Sequence, residues 1–139
     1  MKLSKSMKKI LIDEITYVID AMEKEDNDEK KLYYFSGIHG VINRIFNIEF
    51  NEDLVFLHTV LKSSHEAISA RLQAMKNGQD SVILLFTKQF EKLIEIAKEL
   101  SGRIKKDEPF DDVLKKLSVI AYSTTGNGFY LLDKGLIKL

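Results

Sequence analysis

The chain is expected to fold as an all-α, up-down four-helix-type bundle with a shorter fifth helix and a small C-terminal hairpin or tail. Three observations predict this. Apolar residues recur in steps of three and four along most of the sequence. Breakers are scarce, with one proline and seven glycines in 139 residues. Capping and stop signals separate the periodic stretches from one another. A chain of this length makes one ordinary domain, 1–139, and buries roughly two-thirds of the surface its unfolded form exposes.

The first helix is expected over 4–25. Leu3, Met7, Ile10, Leu11, Ile15, Val18, Ile19 and Met22 make its apolar face, and Asp13, Thr16, Tyr17, Asp20 and Lys24 fall opposite. The charged run 23–31 reads as a solvated turn. Asp26, with Glu29 three residues later, resembles a capping box for the second helix, expected over 29–46. Its stripe is Phe35, Ile38, Ile42 and Ile45, widened by Val41 and Phe46. Gly37 and Gly40 lie inside it, each costing about 1 kcal/mol against alanine. They mark a close crossing with another helix or room for a ligand.

Asn51 is the expected cap of the third helix, with Glu52 and Asp53 complementing the helix dipole. That helix runs to about residue 76 and stops at Asn77-Gly78. Leu54, Leu57, Leu61, Ile68, Leu72 and Met75 form its stripe, which Ser64 and His65 interrupt. Asp80 caps the fourth helix. Ile83, Phe86, Phe90, Leu93, Ala97, Leu100 and Ile104 repeat as a bundle seam. Ile94 and Ile96 widen it, so this helix is buried on more than one side, in the bundle or between subunits. Pro109 suits the first turn of a fifth helix carrying Phe110, Val113, Leu114, Leu117, Ile120 and Ala121. In 129–139, Asp133-Lys134-Gly135 reads as a hairpin turn between two apolar runs. A last helical turn ending at Gly135 is the alternative.

Composition excludes several classes of function. There is no cysteine, so disulfides, thiolate metal sites and cysteine nucleophiles are out, and a reducing, cytoplasmic setting is favoured. Lys plus Arg equals Asp plus Glu at 21 each, which counts against a general nucleic-acid binder. The longest apolar run, 82–86, is far short of the ~18 residues a membrane span needs. The basic residues of 1–9 meet Asp13 and Glu14 rather than the apolar core of a secretion signal. No serine elbow, phosphate loop or dinucleotide fingerprint occurs, so an enzyme is not favoured and no cofactor is predicted.

Three constellations remain. His39, His58 and His65 are candidate ligands for a divalent transition metal, because neutral imidazoles on facing helices build such sites in bundles. No Glu-x-x-His pair accompanies them, so a di-iron ligand set is missing, and a structural or surface role is the simpler expectation. His58 with Lys62 and Ser63 departs from the histidine, lysine and glycine pattern of phosphotransfer domains, and that family is not claimed. Residues 131–137, with Leu114 and Leu117 upstream, resemble the end of a winged-helix recognition helix, which makes DNA binding through 107–139 a second alternative. Against it, Gly126 and Gly128 would fall inside the recognition helix, and 107–139 holds Asp107, Glu108, Asp111, Asp112 and Asp133 against Lys115, Lys116, Lys134 and Lys138.

Tyr33, Tyr34 and Phe35 form the third constellation. One helix face cannot bury all three, and a surface tyrosine is typical of an interface. With Ile94 and Ile96 they are the interface candidates. The expected function is a non-enzymatic helical module acting through protein contacts as a homo-oligomer, most simply a dimer. No ligand is legible.

Overall fold

The structure is a computed structural model that describes residues 2–78, 89–122, 130 and 133–136, without the side chains of Met75, Gln89, Phe90 and Tyr122. Among the described residues, five helices occur in order: α1 (Lys5–Lys24), α2 (Asp28–Phe46), α3 (Glu52–Lys76), α4 (Gln89–Lys105) and α5 (Asp111–Tyr122). No strand occurs among the described residues. The all-α bundle expected from the sequence is what forms.

Local chemistry sets most boundaries. The Ser4 hydroxyl accepts from the Met7 N–H at the start of α1. Asn27, not Asp26, caps α2, its side-chain oxygen accepting from the Lys30 N–H at 3.0 Å. Asn51 caps α3 as expected by accepting from the Leu54 N–H at 3.3 Å. Beyond α3, Gly78 has φ of 76°, a left-handed stop that costs glycine least. Pro109 lies before α5 rather than in its first turn; the Phe110 carbonyl accepts the first bond, from the Leu114 N–H at 3.0 Å. The Asp80 cap, Ile83 and Phe86 lie outside the described residues.

In the tail, the described residues 130 and 133–136 take the alternative conformation. The Lys134 N–H donates to the Tyr130 carbonyl at 3.0 Å, a bond of helical spacing. Gly135 follows with φ of 68°. A hairpin turn at 133–135 is therefore not what forms: the polar pair closes a helical turn and glycine ends it.

Cross-helix pairs show the up-down course. Lys76 ion-pairs with Glu29, joining the end of α3 to the start of α2. Lys98 reaches Glu23 at 2.8 Å and Lys8 reaches Asp107 at 2.9 Å, so α4 runs antiparallel to α1. Ser64 meets Leu117 and Phe56 lies near Phe110, so α5 runs parallel to α3. The helices pack in the spatial order α4, α1, α2, α3, α5, with α4 and α5 closing the ring loosely.

The core follows the periodic stripes. Met7, Leu11, Ile15, Val18 and Met22 of α1 meet Phe35, Ile38, Ile42 and Ile45 of α2 and Leu93, Ala97, Leu100 and Ile104 of α4. Burial of this apolar surface is the main drive to fold, at roughly 25 cal/mol per Å² removed from water. Two details depart from the pattern. Ile10 is exposed rather than interior. On α3 the buried line runs through Ser64, Ala67, Ile68 and Arg71, while Leu72 is only half-buried. Ser64 fits because its hydroxyl lies 2.8 Å from both the Val60 and the Leu117 carbonyl, and its small size lets α5 approach.

Candidate functional site

One flank of α2 faces α3 without being apolar throughout. Ile38 and Ile42 point inward, and His39 between them turns toward α3, where His58 and His65 stand two turns apart. The three imidazoles come together. The His39 ring lies 5.5 Å from that of His65 and 5.9 Å from that of His58, both edge to face. His58 is in turn 5.7 Å from Phe46, and Phe46 is 6.3 Å from Phe50. Five rings thus form a ladder along the α2/α3 seam, from Phe50 at one end of the bundle to His65. There His65 and the exposed Tyr33 line one open hollow of about 230 Å³.

Burial lowers the affinity of these rings for protons. His39 is lowered from 6.5 to about 4, first because burial strips water from the imidazolium, then because charge on His65, His58 and Lys62 opposes it; Glu66 works the other way. His58 is lowered by burial and then by Lys62, and His65 by burial against the pull of Glu66. Nε2 of His39 is buried with no hydrogen-bond partner. A neutral ring with a spare nitrogen can donate or accept one proton, or ligate a metal.

These rings have no activated nucleophile beside them in Ser64, whose hydroxyl is directed at main-chain carbonyls. Among the described residues, no group of three or more His, Asp or Glu side chains is arranged to hold a metal ion. The seam brings the imidazoles together in pairs around His39 rather than about one point.

The two glycines of α2 have different roles. A Cβ on Gly37 would meet a Glu14 carboxylate oxygen at 2.7 Å and a Val18 methyl at 3.3 Å, so Gly37 is a close crossing with α1. A Cβ on Gly40 would meet nothing within 4 Å.

The interface candidates divide. Tyr33 is exposed at 76%, Tyr34 packs partly against the core, and Phe35 is wholly interior. Ile96 is 5% exposed and Ile94 is half-buried against the core, so the breadth of the α4 apolar face is absorbed within the bundle by its neighbours. Phe35 and Ile96 are therefore core residues here. Gly126 and Gly128 of the DNA-binding reading lie outside the described residues. No helix among the described residues is long and apolar enough to cross a membrane.

An aromatic corner was not singled out from the sequence. Ile48, Phe50 and Phe56 are exposed at 72%, 71% and 66%, with Val55 beside them. All lie where α2 turns into α3. The signal was present: Val55 and Phe56 fall off the Leu54, Leu57, Leu61 stripe, and Ile48 and Phe50 sit in a connection where polar residues are usual. The corner is held firmly. Glu49 accepts from the Ser4 hydroxyl at 2.7 Å and the Asn51 amide donates to the Lys2 carbonyl at 2.7 Å. Arg71 was missed too: it is 4% exposed, burial lowers its proton affinity, and its Nη1 has no hydrogen-bond partner.

Comparison with family models, curated proteins and solved structures finds no match for this chain.

Proposed function

We propose that this protein is a non-catalytic helical module that works through protein contacts, including contact with a second copy of itself. The observation that carries the reading is the corner of Ile48, Phe50, Val55 and Phe56, four large apolar side chains within nine positions facing water on a braced scaffold. Clustered exposed apolar groups of this kind mark contact surfaces. Self-association is supported at a different place, the groove between α4 and α5. There the exposed Val119 lines a groove with the nearly buried Ile96 and Ile120 and with Lys92, Glu95, Glu99 and Lys116. Lys116 and Glu99 pair with each other at 2.9 Å, which leaves Lys92 and Glu95 as a cation and an anion that a two-fold axis can set against their counterparts in a second copy. Light scattering at micromolar concentration tests this: a dimer that Val119→Glu dissociates is expected, and a wild-type monomer rejects self-association.

A second reading is a transition-metal site on His39 with either His58 or His65, completed by water. It is supported by the ring separations of 5.5 and 5.9 Å and the unpartnered His39 Nε2. Two imidazoles on one ion stand about this far apart, given metal–nitrogen distances of ~2.0–2.1 Å. Metal analysis of protein purified without an affinity tag decides it. Stoichiometric metal lost in His39→Ala supports the site; metal-free protein that takes up no Zn²⁺ or Ni²⁺ rejects it.

A further inference from the structure

An ion in the imidazole seam has two positions open to it, one between His39 and His58 and one between His39 and His65, and they are not equivalent. Two imidazoles on one ion at a tetrahedral angle stand with ring centres about 5.2 Å apart, and at a right angle about 4.5 Å, for metal–nitrogen distances of ~2.0–2.1 Å. The His39 and His65 rings, 5.5 Å apart, fit the tetrahedral spacing, and the His39 and His58 rings, at 5.9 Å, stand wider than it. Charge separates the two positions further. Burial aside, Glu66 favours positive charge on both His39 and His65, whereas Lys62 opposes it on both His39 and His58. A doubly charged ion doubles each effect, so one favourable and one adverse neighbour can separate the two positions by roughly tenfold in affinity.

We infer that a tetrahedral divalent ion such as Zn²⁺ is held by His39 and His65, not His58, with its remaining positions open to the hollow lined by Tyr33, Ser69 and Gln73. The inference rests on the metal reading above and names the pair and the class of ion. Among the described residues no third His, Asp or Glu joins the two rings on one ion. Nε2 of His39, buried without a hydrogen-bond partner, is a nitrogen free to ligate. His65 borders the hollow of about 230 Å³, which gives an ion and its water a way in. Ser69, one turn on from His65, and Gln73, one turn further, bring a hydroxyl and an amide to that hollow, groups that can hold metal-bound water or an exchanging ligand. Glu29 on the same hollow is paired with Lys76, so it adds little negative charge. Two neutral imidazoles with open positions make an exchangeable site, unlike the closed four-ligand sites that hold a fold together.

The test is calorimetric titration of Zn²⁺ into the protein purified without an affinity tag. The wild type is expected to take up a single ion per chain with micromolar affinity. His65→Ala is expected to weaken binding by at least about tenfold, and His58→Ala by less than about threefold. His65→Gln repeats the measurement with a side chain nearer in size, and circular dichroism on each variant confirms that the fold is kept. Co²⁺ in place of Zn²⁺ is expected to give the intense visible absorption of a tetrahedral ion.

Absence of Zn²⁺ uptake by the wild type rejects a metal site in the seam altogether. Uptake lost in His58→Ala and unchanged in His65→Ala keeps the metal but overturns the choice of pair. Equal losses in the two variants mean that all three rings reach one ion, which overturns it as well. The weak absorption of an octahedral Co²⁺ complex overturns the tetrahedral geometry.

Discussion

The two flanks of α2 make the sharpest comparison in the molecule. On the inner side, Phe35, Ile38 and Ile42 are sealed from water within the hydrophobic core. On the α3 side, the same helix carries His39 and Phe46 into a seam that stays half-open and ends in the exposed Phe50. The difference shows where the bundle could spare polarity. The inner flank has to supply the burial that offsets chain entropy, so its residues are fixed by packing. The seam is less sealed, and it holds imidazoles beside Phe46, which packs against the core from outside.

Replacing a residue on each flank should break the comparison if it is wrong. Phe35→Ala is expected to lower unfolding free energy by about 3–5 kcal/mol, the usual loss for a large core side chain. Phe50→Ala should move it by less than about 0.5 kcal/mol, as surface changes do. Urea titration of both variants checks this, and equal losses would mean that the corner is part of the core.

Acid should act on the seam and spare the inner flank. His39 holds its proton more weakly in the fold than in the unfolded chain, at about 4 against 6.5. The unfolded chain therefore binds more protons between those values, and stability is full above pH 6.5 and falls as pH drops toward 4. A dry ring would lose ~3 kcal/mol over that span. The His39 ring is partly open to solvent, so about 1–2 kcal/mol is expected from it. Thermal melts from pH 7.5 to 4.5 should show the fall, and His39→Leu should flatten much of it; an unchanged slope in that variant would remove His39 as the cause.

Ser64→Ala probes the polar residue within the core. It should cost about 1 kcal/mol through loss of the hydroxyl that reaches the Leu117 carbonyl. The smallest effect separates the two glycines. Gly40→Ala has open space and should gain about 0.5–1 kcal/mol of helix propensity. Gly37→Ala must displace the Glu14 carboxylate and crowd Val18, so its gain should be smaller or absent. If the two alanines stabilise equally, the α1/α2 crossing is looser than it looks.

Much of the fold could be read along the chain. The stripe Phe35, Ile38, Ile42, Ile45 is buried as its spacing implies, and Asn51 and Gly78 bound α3 where their chemistry places them. Reading failed where a choice depended on a neighbour in space. Asn27 displaced Asp26 as a cap because either side chain can serve and the chain's course into α2 selects one. Along the sequence Ile96 widens the apolar face of α4, but its neighbours in space bury it. Arg71 falls on the inward line of α3, where apolar periodicity predicts Leu72 instead.

The order of residues alone determined that this chain is helical, which faces turn inward, and that three histidines lie near the middle of two neighbouring helices. These follow from local periodicity, which acts within a few turns of one helix. Only the tertiary structure decided that the imidazoles meet in pairs around His39, that Phe35 and Ile96 are core, and that Phe50 and Phe56 stand in water beside acidic residues. Those outcomes depend on the rotation and offset of one helix against another, which many side chains set together and no single stretch of sequence encodes.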